Sequence, residues 1–281
     1  MTGQRHHGRR HAVKRRLALL ESDAPAAGAS LLIYHRIGAG TKDELDVPKD
    51  EFLAQLDALE GHDVVSLDSA LDRVDRRDSS SSVVLTFDDG FADVYENAWP
   101  ALRERRLPFT IYLATAYMGE RMVWEGSTAQ GPHGMGMTWR QLEEMLASGL
   151  CTIGNHTHNH VRPELLTVAE LDECSAVIEH HLGVRPAHFT YPWGVVVPRM
   201  ESALRERFRS SSTGILGRND PSTDPARLKR IPVRQSDPIE FFEAKLTGTL
   251  RAERLYAGLV SAAKTPGRLR GRITDAANAH Q

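Results

Sequence analysis

The sequence predicts an α/β fold, a distorted (β/α) barrel of about seven parallel strands, on three observations. Short apolar runs rich in β-branched residues alternate with segments of helical periodicity along most of the chain. The connections between them are mostly short, which implies parallel strands joined by right-handed crossovers. The number of such units fits a closed barrel better than an open sheet. A chain of 281 residues is long enough for one large domain of this kind.

Candidate strands and helices follow one another in order along the chain. The apolar runs that we interpret as strands cover residues 31–35, 64–65, 83–87, 109–113, 150–153, 188–191, 211–216 and 228–233. Apolar side chains at helical spacing predict helices over residues 50–59, 67–74, 94–106, 138–148, 167–182, 198–207, 241–250 and 255–263. Residues 118–137 contain five glycines and show no apolar period, which is typical of a functional or disordered loop.

The two ends of the chain are basic and weakly patterned. The first sixteen residues carry six lysines and arginines and no acid, and the apolar run after them, Leu17–Leu20, is too short for a secretory core. We therefore expect residues 1–29 to form a flexible basic arm, either solvated or touching an anionic surface. Residues 30–250 would form the main domain, and residues 251–281 a helix and a basic tail.

Composition excludes several classes of partner. The net charge of −2 gives no global field that favours nucleic acid, so we expect no nucleic-acid partner. No stretch reaches transmembrane length, so we expect a cytoplasmic protein without stable membrane insertion. The two cysteines, Cys151 and Cys174, show no metal or disulfide spacing and are expected to be reduced and buried. The sequence does not specify an oligomeric state.

Two adjacent aspartates follow the apolar run at residues 83–87. In parallel α/β folds, side chains at the carboxyl end of a buried strand face the crevice where ligands bind. Asp88 and Asp89 would repel each other there unless one is protonated or a cation lies between them. The alternative is that Asp88-Asp89-Gly90 is only a turn.

Two other strand ends carry chemically useful side chains. Asn155-His-Thr-His-Asn-His160 follows one strand, and Tyr191-Pro-Trp-Gly194 follows the next. All three strand ends would gather on one rim of a barrel. Two imidazoles and a carboxylate with open positions are typical of a catalytic site for zinc or another first-row divalent ion. Alternatively, the histidines form a free-standing metal-binding tract, and Tyr191–Gly194 is a turn.

These motifs resemble those of the polysaccharide deacetylases of carbohydrate esterase family four, the NodB-homology group. Thr86-Phe-Asp-Asp-Gly90 looks like the first motif of that family, and His156-Thr-His-Asn-His160 fits its second motif, in the same order and at an agreeing separation. The resemblance covers roughly residues 31–250. It implies that the barrel is of the NodB-homology type and that residues 30–250 form a deacetylase-like catalytic domain.

The resemblance also implies a role for each residue of the two motifs. Asp88 would be the catalytic base, and Asp89, His156 and His160 would hold a divalent metal ion, with zinc expected first. The family pattern leaves His158 as a non-ligand, which spacing alone does not establish.

The third motif of the family departs from its usual form in this chain. It usually reads Arg-x-Pro-Tyr, whereas this chain has Thr190-Tyr-Pro-Trp193, so the arginine that orients the base is missing. Trp193 matches the position whose backbone N–H helps to bind the oxyanion. Leu228-Lys-Arg-Ile-Pro-Val233 resembles one branch of the family, and Arg230 in it is our candidate to compensate for the missing arginine.

The usual source of the general acid is also absent. The family carries it in a late Leu-x-His motif, for which His280 in the tail is a poor candidate. Tyr34-His35-Arg36-Ile37 resembles the start of the branch that contains enzymes similar to poly-N-acetylglucosamine deacetylases, where an early histidine takes the place of the acid. On this resemblance we assign His35 as the general acid, although a lone histidine that ends a strand is also compatible with a structural role.

The resemblance implies a metal-dependent hydrolase that removes acetyl groups from an N-acetylated amino-sugar glycan or glycoconjugate. One alternative is an allantoinase-like hydrolase of another linear or cyclic amide, and the other is a non-catalytic carbohydrate-binding homologue. Aromatic side chains are candidates for stacking on a sugar face or for the core: Tyr34, Trp124, Trp139, Tyr191 and Trp193.

Overall fold

Strands and helices alternate through most of the chain, as the apolar periodicity predicts. The computed structural model describes residues 2–22, 24, 27–127 and 134–260. Its strands are β1 Ala29–Tyr34, β2 Arg36–Ile37, β3 Asp46–Val47, β4 Ser82–Phe87, β5 Phe109–Leu113, β6 Cys151–Asn155, β7 His188–Thr190, β8 Ser210–Leu216 and β9 Leu228–Pro232. Its α-helices are α1 Thr2–Ala18, α2 Lys49–Ala58, α3 Leu67–Asp75, α4 Trp99–Glu104, α5 Trp139–Ala147, α6 Val168–Leu182, α7 Glu201–Arg207 and α8 Ile239–Leu246, and residues 251–260 are also helical.

Seven parallel strands close into a barrel in the order β1-β4-β5-β6-β7-β8-β9, with β9 paired to β1. The prediction of a distorted barrel of about seven parallel strands is therefore confirmed. The predicted short strand at residues 64–65 contributes only an isolated bridge between Val64 and Val83. The two-residue parallel pair β2–β3 has no signal in the sequence pattern.

The strands are buried because helices cover the outside of the barrel. All six residues of β4 are buried. Outside the barrel, Leu67 and Leu71 of α3 belong to one apolar cluster with Leu31 of β1 and Val84 of β4. Local signals set the helix ends: Thr138 accepts a hydrogen bond from the backbone N–H of Gln141 and closes a capping box at the start of α5.

The described residues divide into two compact units, one over residues 27–235 and the other formed by both ends of the chain, residues 1–26 with 236–281. The barrel and all of the predicted site residues belong to the first unit. In the second unit, residues 2–18 form helix α1 in place of the predicted flexible arm. The predicted basic tail over residues 264–281, with His280, lies outside the described residues.

Buried charges explain why α1 is ordered within its own unit. Lys14 is fully buried, and its Nζ lies 2.6 Å from Asp237 Oδ1 and 4.3 Å from the ring centroid of Tyr256. Lys245 is bound to the other oxygen of Asp237. These partners are more than 200 residues away from Lys14 in the chain, so the basic run gives no local sign of them.

Two further sequence expectations concern the described residues. Cys151 and Cys174 are both buried and unbridged, as predicted. None of the described helices combines the length and the hydrophobicity that a membrane crossing requires.

Candidate active site

A cavity of about 370 Å³ opens at the carboxyl ends of the barrel strands. It brings together the residues that the sequence predicts as functional, from five different strands: His35, Asp88, Asp89, His156, His160, Trp193 and Arg230. Each of the first six follows the end of a strand, and Arg230 lies within β9. Because parallel strands present their carboxyl ends on one rim, residues more than 190 positions apart in the sequence line the same cavity.

The turn after β4 places the two aspartates in different directions. The backbone N–H of Asp88 still donates to Tyr34 O of β1 (2.9 Å), which continues the parallel ladder by one residue. Asp89 then adopts a left-handed φ of 74°, followed by Gly90 at 91°. The positive φ of Gly90 favours glycine at this position, and a Cβ there would also lie 2.9 Å from Leu113 Cδ2. The turn therefore separates the side chains of Asp88 and Asp89.

The histidine-bearing turn after β6 is braced by Asn155 and helix α6. The Asn155 side chain accepts a hydrogen bond from the N–H of Thr157 (2.9 Å) and donates to Leu171 O (2.8 Å) and to Ser175 Oγ (3.0 Å). The N–H of His158 donates to Glu170 O. These bonds orient the turn so that its first and last histidines face the cavity.

Asp89, His156 and His160 form the group of described residues that could hold a metal ion. Their ligand atoms lie within 4.8 Å of one another, and the two Nε2 atoms lie 3.2 and 3.3 Å from Asp89 Oδ1. That oxygen is buried and has no hydrogen-bonding partner among the described residues. Two imidazole nitrogens and an unsatisfied carboxylate oxygen that converge in this way fit a first-row divalent cation.

The electrostatics of this group agree with an ionised carboxylate between two imidazoles. Burial raises the pKa of Asp89, but the facing imidazoles of His156 and His160 outweigh burial and hold that pKa well below its usual range. Burial lowers the pKa of His156, and the nearby Asp89 and Asp88 carboxylates more than offset this, so its pKa is raised. For His160 burial dominates and the pKa is lowered.

Arg230 binds Asp88, the aspartate that is not among the candidate metal ligands. Its guanidinium donates to both oxygens of Asp88, at 2.7 and 2.9 Å, and its Nε donates to Thr213 O (3.0 Å). Arg230 and Asp88 are 1% and 3% exposed, so the pair is buried. Burial raises the pKa of Asp88. The Arg230 guanidinium, and after it His156, lower that pKa by more than burial raises it, so the net shift is downward. Asp88 is therefore ionised, and both of its carboxylate oxygens are bound by Arg230.

His35 directly follows the last residue of β1 and lies near Asp88. Its Nε2 is 4.0 Å from Asp88 Oδ2, and its side chain is 21% exposed in the cavity. The neighbouring backbone is rigid, since Arg36 donates to the buried carboxylate of Asp93 (2.9 Å) and Ile37 N–H donates to the other oxygen of Asp93 (2.9 Å).

Aromatic side chains form one wall of the cavity. Trp193 is 42% exposed, has a left-handed φ of 63°, and lies 5.6 Å from the His160 ring between centroids. Trp124 stacks on His160 with centroids 4.3 Å apart. Gly126 packs against Trp193, and a Cβ at this position would lie 2.6 Å from the Trp193 ring. The loop predicted over residues 118–137 thus contributes Trp124 and Gly126 to the cavity wall.

Other sequence candidates lie elsewhere. His158 Nδ1 is hydrogen-bonded to Thr115 Oγ1 (2.9 Å), away from the metal-ligand group. Trp139 stacks on His181 outside the cavity. Tyr34 and Tyr191 are buried in the core. Sequence reasoning missed Arg234, which also lines the cavity and has no local motif that would have marked it.

Backbone strain is concentrated around the cavity. Of the seven described non-glycine residues with a positive φ, four belong to the motif turns: Asp89, Thr157, His160 and Trp193. Such conformations cost about 1–3 kcal/mol each and persist where the surrounding structure imposes them. Their clustering supports a functional interpretation of this rim of the barrel.

The fold and the candidate site agree with the similarities of this chain to known proteins. The sequence model of the family described as "Polysaccharide deacetylase" matches residues 75–207, which include Asp88, Asp89 and both candidate histidine ligands. The matched segment, just under half of the chain, is a polysaccharide deacetylase domain of the NodB-homology type.

The chain is similar to several individual members. The structure of IcaB from Ammonifex degensii superimposes with a TM-score of 0.67 at 29% identity, covering 79% of this chain and 99% of that one. The Streptococcus pyogenes deacetylase PplD has the same fold, with a TM-score of 0.65 at 22% identity over 79% of this chain and 99% of that one.

Two relatives known by sequence match over shorter lengths. A Bacillus subtilis protein named as a polysaccharide deacetylase, YxkH, is 27% identical over 185 residues, which are 63% of this chain and 60% of the relative. A Staphylococcus aureus poly-β-1,6-N-acetyl-D-glucosamine N-deacetylase is 33% identical over 79 residues, or 28% of this chain and 24% of the relative. The chain thus spans less than two thirds of the length of either relative.

Proposed function

We propose that the protein is a divalent-metal-dependent hydrolase that removes acetyl groups from the nitrogen of an amino-sugar glycan, with residues 30–250 as its catalytic domain. The observation that carries the proposal is the convergence of Asp89, His156 and His160 beside a separately held, ionised Asp88 in one cavity. An amide hydrolase needs both a Lewis acid and a free base near the same carbonyl, and this cavity contains candidates for both.

Asp89, His156 and His160 would hold the ion, with zinc as the first candidate because two imidazoles and a carboxylate suit it. When bound, such an ion supplies a Lewis acid that polarises the acetamide carbonyl. His156 is already prepared as a ligand, since its Nδ1 is hydrogen-bonded to Thr190 O (2.9 Å) and its Nε2 faces Asp89.

Asp88 takes the proton of the attacking water in this proposal. Its two bonds to Arg230 fix the carboxylate plane and keep the group ionised, which is the state that a base requires. His35 delivers a proton to the leaving amine, and its position on the cavity wall near Asp88 is compatible with that role. The backbone N–H of Trp193 is the proposed partner of the oxyanion.

The substrate class follows from the relatives and from the wall of the cavity. The Staphylococcus aureus relative is named for poly-β-1,6-N-acetyl-D-glucosamine, so oligomers of N-acetylglucosamine are the first substrates to test. The exposed face of Trp193 offers a surface on which a pyranose ring can stack. The pairing of Arg230 with Asp88 also counts against a non-catalytic homologue. It supplies an arginine contact to the proposed base, in place of the arginine that is missing from the third motif.

Metal removal is the direct test of the proposed function. Acetate release from N-acetylglucosamine oligomers should stop when a chelator is added and return when zinc is restored. An Asp89→Ala variant should lose both bound metal and activity, since it removes the carboxylate ligand. Metal content is measured by elemental analysis, and Asp172→Ala, a surface carboxylate paired with Arg207, is the control. Acetate release that persists in the chelator and in Asp89→Ala would overturn the proposal.

A His35→Gln variant should lose about 100-fold or more in kcat while it retains its metal, because general acid catalysis contributes about 10²–10⁴ in rate. Glutamine keeps the polar bulk but cannot protonate the leaving amine. His62→Gln, a histidine outside the cavity, is the matched control. Equal kcat values for the wild type and His35→Gln would exclude the acid role.

A further inference from the structure

The two candidate histidine ligands are supported in different ways. A ligand imidazole ordinarily donates its second N–H to an oxygen, which sets its tautomer and orientation. His156 follows this pattern through Nδ1 and Thr190 O at 2.9 Å. His160 does not, because its Nδ1 is buried and has no hydrogen-bonding partner within the described part of the chain. Among the described residues, the contacts around the His160 ring on its Nδ1 side are therefore packing contacts and not hydrogen bonds.

The ring of His160 is enclosed by aromatic groups instead. The indole of Trp124 stacks on it with centroids 4.3 Å apart and an interplanar angle of 28°. The His156 ring and the Trp193 ring approach it edge-on, at 4.9 and 5.6 Å. The stacked indole is the contact that restricts rotation of the imidazole plane about χ2, because tilting the ring would drive its edge into the indole face.

The backbone of His160 does not supply that restraint. Its φ of 48° lies in the left-handed region, which costs energy for a residue with a Cβ. The backbone of His160 is strained and its Nδ1 has no hydrogen bond among the described residues. The position of its ring therefore depends on packing.

We propose that Trp124 is a positioning residue for the metal site: it holds His160 by stacking and so replaces the hydrogen bond that His160 lacks. The inference rests on the proposed metal dependence of the site. It makes the segment around Trp124 part of the proposed metal site, although the described residues of that segment are not among the candidate ligands Asp89, His156 and His160.

The loop has the contacts needed to hold Trp124 still. The Trp124 ring packs against Tyr117 and Phe91, with centroids 5.2 and 6.1 Å away. The next residue, Glu125, is bound by Arg162 through two bonds of 2.8 and 3.1 Å. The Arg162 guanidinium also lies 5.3 Å from the Trp193 centroid. Arg162 therefore contacts both the segment that carries Trp124 and the indole of Trp193.

The test is the zinc affinity of purified protein, measured by competition with a chromophoric chelator. Trp124→Ala should bind zinc about 10- to 100-fold more weakly than the wild type, the range found when outer-shell partners of metal ligands are removed. Trp124→Phe, which keeps an aromatic plane, should stay within about threefold of the wild type, whereas Trp124→Leu, which keeps apolar bulk without a plane, should weaken binding as alanine does. Trp139→Ala is the matched control, because Trp139 also stacks on a histidine, His181, at 4.2 Å.

Cobalt substitution separates ligand positioning from general destabilisation. The visible absorption of bound Co²⁺ reports its ligand geometry, so it should change in Trp124→Ala and Trp124→Leu and not in Trp139→Ala. Equal zinc affinity and an unchanged cobalt spectrum in folded Trp124→Ala would overturn the inference, and so would the same results in Trp124→Leu if the alanine variant does not fold. A wild-type protein that binds neither ion would instead refute the proposed function.

Discussion

An Asp88→Asn variant is expected to release acetate at least about 100-fold more slowly than the wild type while it keeps its bound metal. The substitution removes the base and preserves the shape of the side chain, and general base catalysis contributes about 10²–10⁴ in rate. The measurements are kcat on N-acetylglucosamine oligomers and metal content by elemental analysis. This separation of rate from metal content distinguishes Asp88 from Asp89, because Asp89→Ala should lose both.

The control for this experiment is a carboxylate outside the cavity. Asp172→Asn changes an exposed aspartate on α6 that pairs with Arg207, and it should leave kcat unchanged. If Asp88→Asn retained the wild-type kcat, Asp88 could not be the base. If it lost its metal instead, the division of roles between Asp88 and Asp89 would be wrong.

Replacing Arg230 by methionine should destabilise the metal-free protein by about 3–5 kcal/mol, the usual cost of leaving a buried charge without its partner. Arg230 and Asp88 are both almost fully buried, and the arginine makes both of its strongest bonds to this carboxylate. Activity should also fall, because the plane of the base is no longer fixed. The free energy of unfolding is measured by urea denaturation in the presence of chelator.

A double variant provides the decisive comparison. In an Asp88→Asn background, adding Arg230→Met should lower the free energy of unfolding much less than it does in the wild type. The reason is that the substituted asparagine side chain carries no charge, so the loss of Arg230 leaves no buried charge without a partner. Additive effects of the two substitutions on the free energy of unfolding would show that the pair does not act as a unit. Arg207→Met, which breaks a pair with the exposed Asp172, is the control and should cost less than about 1 kcal/mol.

The barrel could be predicted from the sequence because its signals are local. All seven barrel strands are present where apolar, β-branched runs indicate them, with ends that differ by no more than two residues. The signal for α1 is not local: its basic sequence is typical of a solvated arm, whereas the structure has a helix there whose Lys14 contacts the distant Asp237.

The candidate site divides in the same way. Asp88, Asp89, His156 and His160 are recognisable because each motif lies within a few residues of a strand end, where the fold determines its direction. Arg230 is 142 residues from Asp88, and no spacing rule connects the two. Trp124 lies in a loop without periodicity, so its contact with His160 has no signal in the sequence beyond the presence of an aromatic residue.

The pair Asp88-Asp89 shows what each level of description contributes. By itself, the sequence determines that two carboxylates follow a buried strand and that histidines follow another, since strand periodicity and turn chemistry depend on neighbouring residues. Only the tertiary structure decides that Asp89 faces His156 and His160 while Asp88 faces Arg230. The reason is physical. The turn at Asp89 and Gly90 directs the two side chains apart, and closure of the barrel places Arg230 of β9 beside Asp88.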